Sequence, residues 1–176
     1  MASLSIASGA ATTRLLAEVM ANTRLLTEEV ENFVREALAR NYGQPFGKRV
    51  LPLPPGGRHE FDAVSADGTV VASVKSSSGR TASGRHPAGK VNAAVAELYF
   101  LSLIPSPTRL LILTTPEFHD IFIRTLAGKI ASGIQIVLIE LSASLQQRVN
   151  DVQQQASLEV TPVLDTAEQQ IMGTTE

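Results

Sequence analysis

The chain has 176 residues, 44% hydrophobic and 18% charged, which suits one globular domain able to bury a core without covalent staples. It has no cysteine and three histidines, which excludes disulfides and thiolate metal sites and leaves a hard, oxygen-bound ion such as magnesium or manganese as the metal to expect. Net charge is −2, yet the stretch from Gly43 to Lys90 holds seven basic residues against three acids, so it carries +4 and the remainder −6, the mark of a local anion site.

No apolar run approaches the ~20 residues of a membrane span, and the N-terminus lacks the pattern of a secretion signal, so no membrane and a cytoplasmic location are expected. Residues 1–12 are small and neutral and are expected to fray; residues 13–158 form a single domain; residues 159–176 read as a loose tail. From Thr13 to Arg40 the pattern is helical, with Leu26, Val30, Phe33, Val34, Ala37 and Leu38 at three- and four-residue spacing. Asn22-Thr23 offers a cap for a fresh start within that stretch, and Asn41-Tyr42-Gly43 closes it. Arg49–Leu53 reads as a short edge strand cut off by Pro54-Pro55-Gly56-Gly57.

His59–Ser65 and Thr69–Ser76 read as a hairpin around Asp67-Gly68, a strong turn signal. Ser76–Gly89 is a Ser/Gly/Arg loop, Val91–Ile104 an apolar helix, Arg109–Thr114 a buried strand, Pro116–Ala127 a helix, Ile134–Leu141 a strand and Ser144–Gln155 a polar closing helix. This order implies an α/β fold with a mixed sheet and helices on both faces.

A two-residue turn at Asp67-Gly68 sets Val64 opposite Val71, Asp62 opposite Ser73 and Glu60 opposite Lys75. Strict alternation then gives Phe61, Ala63, Ala72 and Val74 to the core face, and Glu60, Asp62, Ser73 and Lys75 to the other. Carboxylates on adjacent strands suit a hard divalent cation, the Val74 carbonyl offers a further ligand, and a lysine beside them can orient water or stabilise charge on a phosphoryl group.

These residues resemble the PD-(D/E)xK nuclease superfamily: Phe61-Asp62, a hairpin turn, then Ser73-Val74-Lys75, with a preceding helix rich in Glu28, Glu29 and Glu31. The resemblance spans roughly residues 23–141 and implies a restriction-endonuclease-like αβββαβ core. It also implies magnesium or manganese as cofactor, Asp62 as metal ligand, Lys75 as catalytic lysine and a helix glutamate, Glu29 with Glu28 next, as a further contact. The motif proline is Phe61 and the second acid is Ser73; Glu60 and Glu97 are the two candidates for supplying the missing carboxylate.

Arg80, Arg85, His86 and Lys90, in and after the loop beyond Lys75, supply phosphate-contacting chemistry, so DNA is the expected partner. There is no Walker A or Rossmann glycine pattern, and the aromatics do not cluster for base stacking. The expected function is therefore a metal-dependent DNA endonuclease. The alternative is a degenerate nuclease fold that binds DNA or builds a complex, and a homodimer through the long first helix is the assembly that duplex cleavage suggests. His59 is expected to be structural and Tyr99 a core residue of its helix, and His119 carries no role.

Overall fold

The computed structural model describes the backbone of residues 6–79 and 86–159, and the side chains of 22–79 and 86–154. Its first element, α1 (Ile6–Tyr42), is one helix beginning ahead of the expected Thr13 start, so residues 6–12 lie within it. Asn22-Thr23 starts no new helix; the Thr27 hydroxyl donates to the Thr23 carbonyl at 2.9 Å, a bond made along a continuous helix. Val30, Val34 and Leu38, one turn apart, form its buried stripe. Gly43, at φ 67°, ends it by donating its N–H to the Ala39 carbonyl at 2.9 Å, a conformation that glycine adopts without strain.

The remaining elements are β1 (Phe46–Pro52), β2 (Arg58–Ser65), β3 (Val70–Lys75), α2 (Ala88–Leu103), β4 (Thr108–Leu113), α3 (Pro116–Thr125), β5 (Ile134–Leu138) and α4 (Ala143–Glu159). The five strands form one sheet in chain order, β1-β2-β3-β4-β5. The β1–β2 and β2–β3 pairs are antiparallel, while β3–β4 and β4–β5 are parallel. The fold is α/β, a mixed five-stranded sheet flanked by four helices, in the αβββαβ order of a restriction-endonuclease-like core continued by α3, β5 and α4.

The parallel pairings need crossovers, and α2 and α3 supply them on one face of the sheet. There Phe61, Val64, Val71, Leu111 and Leu113 pack with Leu98, Leu101, Phe118 and Phe122. On the other face Ala63, Ala72, Val74, Leu110 and Ile112 meet Val30, Val34 and Leu38 of α1 and Leu145 and Val149 of α4. Strand β4 sends side chains into both cores, which is why it reads as a continuous apolar run.

Strict alternation along β2 does not hold. The β1–β2 register runs Gly47↔Val64 and then Arg49↔Phe61, so Asp62 and Ala63 together face Lys48 alone. This is a β-bulge. Phe61 thereby turns into the α2–α3 core while Ala63 faces α1, although two residues apart on a regular strand share a face. The hairpin register near the turn is as expected, with Val64↔Val71, but the β2–β3 ladder is paired only there and at Ala63↔Ala72. The turn itself has a single positive-φ residue, Gly68 at φ 73°, and the Asp67 carboxylate closes it by accepting from the Thr69 N–H at 3.0 Å and the Ser65 hydroxyl at 2.7 Å.

Ile112, fully buried on the interior strand β4, and Val50, 45% exposed on the edge strand β1, should separate sharply. Ile112→Ala is expected to cost about 2–5 kcal/mol in chemical denaturation, and Val50→Ala less than about 0.5 kcal/mol. Equal losses would contradict the placement of β4 at the centre of both cores.

Candidate active site at the Asp62 bulge

Helix α2 buries Val91, Ala94, Leu98 and Leu101, and Glu97 sits on the flank of that stripe, over the end of β3. Its carboxylate takes three partners from two strands. Oε1 accepts from Lys75 Nζ at 2.7 Å, and Oε2 accepts from Ser73 Oγ at 3.0 Å and lies 3.2 Å from His59 Nε2. The His59 ring is stacked on Phe100 at 3.9 Å between centroids and meets Phe61 edge-on at 4.8 Å, so its orientation is fixed by packing. Burial by itself would raise the Glu97 pKa, but the Lys75 hydrogen bond and charge, with Ser73 and His59, hold it below the ordinary carboxylate value. Ser73 is fully buried, with its hydroxyl committed to Glu97.

Asp62, at the bulge, takes a different electrostatic position. Its Oδ2 accepts the Val74 N–H at 2.7 Å, standing in for the ladder bond that the bulge removes. Burial pushes its pKa up from 3.8 to about 6, against the Val74 hydrogen bond and the Lys75 charge, with Glu31 and Glu97 adding to the rise. Among the described residues no donor bonds its Oδ1. The carbonyls of Thr69, just ahead of β3, and of Lys75, at its end, accept from the Thr108 and Thr114 N–H groups along β4, at 3.1 and 3.2 Å. Val74 lies one residue out of phase with them, and N–H and C=O of one strand residue point the same way. Its carbonyl therefore faces the parted β2 side, where its N–H meets Asp62.

Across the sheet edge, α1 contributes a charged cluster. Glu31 and Arg35, an i,i+4 pair only 6% and 8% exposed, sit on the buried stripe. Lys48 Nζ lies 2.6 Å from Glu31 and 3.8 Å from both Glu28 and Glu60. Arg35 donates to the Asp62 carbonyl at 2.7 Å, tying this cluster to the bulge.

The structure thus brings Asp62, Val74, Lys75 and Glu97 together and leaves two expected residues out. Glu60 was placed opposite Lys75; the bulge turns it instead to the α1 face beside Lys48. Glu29 was the expected helix glutamate; it forms a two-pronged ion pair with Arg148 of α4, with one bond at 2.8 Å, on the exposed flank of α1. Helical geometry explains the exchange, since Glu31 lies on the Val30–Val34 stripe and Glu29 is about 200° round the axis from Glu31. Glu29 and Arg148 instead line a groove of about 330 Å³ between α1 and α4, with Leu25, Leu26, Asp151 and Val152, that shares no residue with the site.

Of the expected DNA contacts, His86 is exposed just ahead of α2. Lys90 turns inward to donate to the Ser78 carbonyl at 3.2 Å, and burial lowers its pKa despite the nearby Glu117. Arg80 and Arg85 lie outside the described residues. Tyr99, read as a core residue, is 59% exposed. Arg35 was not singled out by the sequence reading, although its spacing four residues after Glu31 and one after Val34 marks it as turned inward.

No helix among the described residues is long and apolar enough to cross a membrane. No known protein family, curated protein or solved structure gives a significant match to the chain.

The raised Asp62 pKa has a direct consequence for stability. The folded state binds the Asp62 proton more tightly than the unfolded chain, so this group's contribution falls as pH rises from about 4 through about 6. Asp62→Asn removes that loss. Its stability relative to the parent should therefore climb across this window, by on the order of 2 kcal/mol, and stay level above pH 7 in urea denaturation. A difference that does not vary with pH would contradict the buried, raised carboxyl.

Proposed function

We propose that the protein is a divalent-metal-dependent phosphodiester hydrolase acting on DNA, of the PD-(D/E)xK kind, in which Glu97 takes the part of the motif acid that Ser73 lacks. The observation that carries this reading is the meeting of Glu97 with Ser73 and Lys75 at the end of β3, close enough to the Asp62 carboxylate for the charges of Glu97 and Lys75 to act on it. The lost side chain and its replacement lie against one another, 3.0 Å apart. Glu31 is the helix glutamate nearest in role to the one the resemblance implies, since its charge acts on Asp62.

The donor set fits a hard cation. Asp62 Oδ1, the Val74 carbonyl and a Glu97 oxygen are all oxygens, the type magnesium and manganese take. Bound there, such an ion would acidify a water and neutralise charge on a phosphate. Asp62 is ready for this above pH 6, where its carboxyl is ionised. Lys75, held by Glu97, is a fixed ammonium able to orient the attacking water or to stabilise charge developing on the phosphoryl oxygens. The sequence between Lys75 and α2 carries Arg80, Arg85 and His86, basic residues that would follow a DNA backbone.

A second reading, a fold that binds DNA without cutting it, is favoured by two features. Both Glu97 oxygens are already engaged by Lys75, Ser73 and His59, and among the described residues no three His, Asp or Glu side chains gather into a ready metal cluster.

Incubation of the purified protein with supercoiled plasmid and magnesium or manganese tests the first reading. The parent is expected to nick it, Asp62→Asn and Glu97→Gln to lose about a hundredfold or more, and Glu29→Ala to keep the parental rate. Undiminished cleavage by Asp62→Asn would remove the site assignment. The two readings part on metal alone: a hydrolase should gain melting temperature with manganese, an effect absent in Asp62→Ala, whereas a binding protein gains none.

A further inference from the structure

We infer that Arg35 is a positioning residue of this site: acting from the α1 side of the sheet, it holds the backbone of the Asp62 bulge and thereby the aim of the Asp62 carboxylate. The catalytic use of this aim rests on the function proposed above; the geometry and its test do not.

A bulge leaves its extra residue outside the ladder, and a buried carbonyl without a donor is costly. At Asp62 the donor is Arg35, 2.7 Å away and only 8% exposed. The guanidinium is itself held by its own helix. It donates to Asn32 Oδ1 at 2.6 Å, Glu28 Oε1 at 3.0 Å and Glu31 Oε2 at 3.3 Å. Those acceptors lie three, four and seven residues before it, on one face of α1. A planar fork with five N–H groups can serve all four acceptors at once, whereas an ammonium has three donors. Asp62 is consequently fixed at two points, its carbonyl by Arg35 and its Oδ2 by the Val74 N–H at 2.7 Å.

The alternative arrangement is the unbulged ladder. Continued from Ala63↔Ala72, the register would set Val74 opposite Phe61 and give the Val74 N–H to the Phe61 carbonyl. The Val74 amide therefore reports which arrangement is present. With Arg35 in place it belongs to the carboxylate; without Arg35 the Asp62 carbonyl is orphaned and that hydrogen bond loses its fixed acceptor.

Hydrogen exchange followed by NMR on the protein free of metal and DNA makes the test, with the Ile112 amide of β4 as internal reference. Arg35→Met should speed exchange at Val74 relative to Ile112 by about tenfold or more, and Arg35→Lys by less. Val34→Ala, which thins the same helix–sheet contact without touching the bulge, should lower the melting temperature and leave the Val74/Ile112 ratio at its parental value. An unchanged ratio in Arg35→Met overturns the inference, as does an equal change in Val34→Ala. Should Arg35→Met not fold, Arg35→Lys against Val34→Ala carries the same comparison. Absence of nuclease activity in the parent would count against the proposed function and leave this result intact.

Discussion

A sheet covered by helices on both faces has no outer side on which to leave charged groups. That constraint governs everything around β2 and β3. Apolar side chains of these strands go to two cores, and the buried polar ones must meet partners, several of which the helices bring. Glu97 arrives from α2 to meet Ser73, Lys75 and His59; Arg35, Glu31 and Glu28 arrive from α1 to meet the Asp62 carbonyl and Lys48. The bulge at Asp62 connects the two sets, because it is where the strand changes which core its residues enter.

The two carboxylates of the site are driven apart by their surroundings. Asp62 has one backbone donor and much burial, and is raised; Glu97 has a lysine, a hydroxyl and an imidazole, and is lowered. Neighbouring acids tuned in opposite directions are a recurrent arrangement where one must give or hold a proton while the other stays ionised. Here two strands deliver a lysine, a hydroxyl and an imidazole to the helix-borne Glu97, whereas the buried Asp62 at the bulge receives a single N–H.

The sequence made the element order legible, because hydrophobic period and turn residues are local signals: the apolar run Arg109–Thr114, the Pro116 helix start and the Gly43 stop all lie close to the observed bounds. It made Asp62 and Lys75 legible as near neighbours, since their spacing about the Asp67-Gly68 turn brings them to the same end of the hairpin, but not the bulge that aims Asp62. The placement of Glu60 was not legible. It depends on one extra residue in β2 opposite Lys48, and neither Asp62 nor Ala63 announces a bulge. Glu29 misled for another reason. Three glutamates within four residues of α1 differ only in rotation about the axis, and which one meets the sheet is set by the neighbours of Val30 and Val34 in the folded chain. Arg35 was hidden by the ordinary assumption that a charged helix residue faces water.

The strand order has a kinetic consequence. Each strand lies beside its neighbour in sequence, so the sheet can grow from the hairpin outward with short loop closures and modest contact order. The exception is the seat of α4 against α1, where the Arg148–Glu29 pair joins residues 119 apart in the chain. Closing that longest loop is the slow, late event in such a scheme. In that scheme the hairpin, the bulge and the α2 crossover precede the docking of α4, so the cluster around Asp62 does not depend on the groove between α1 and α4.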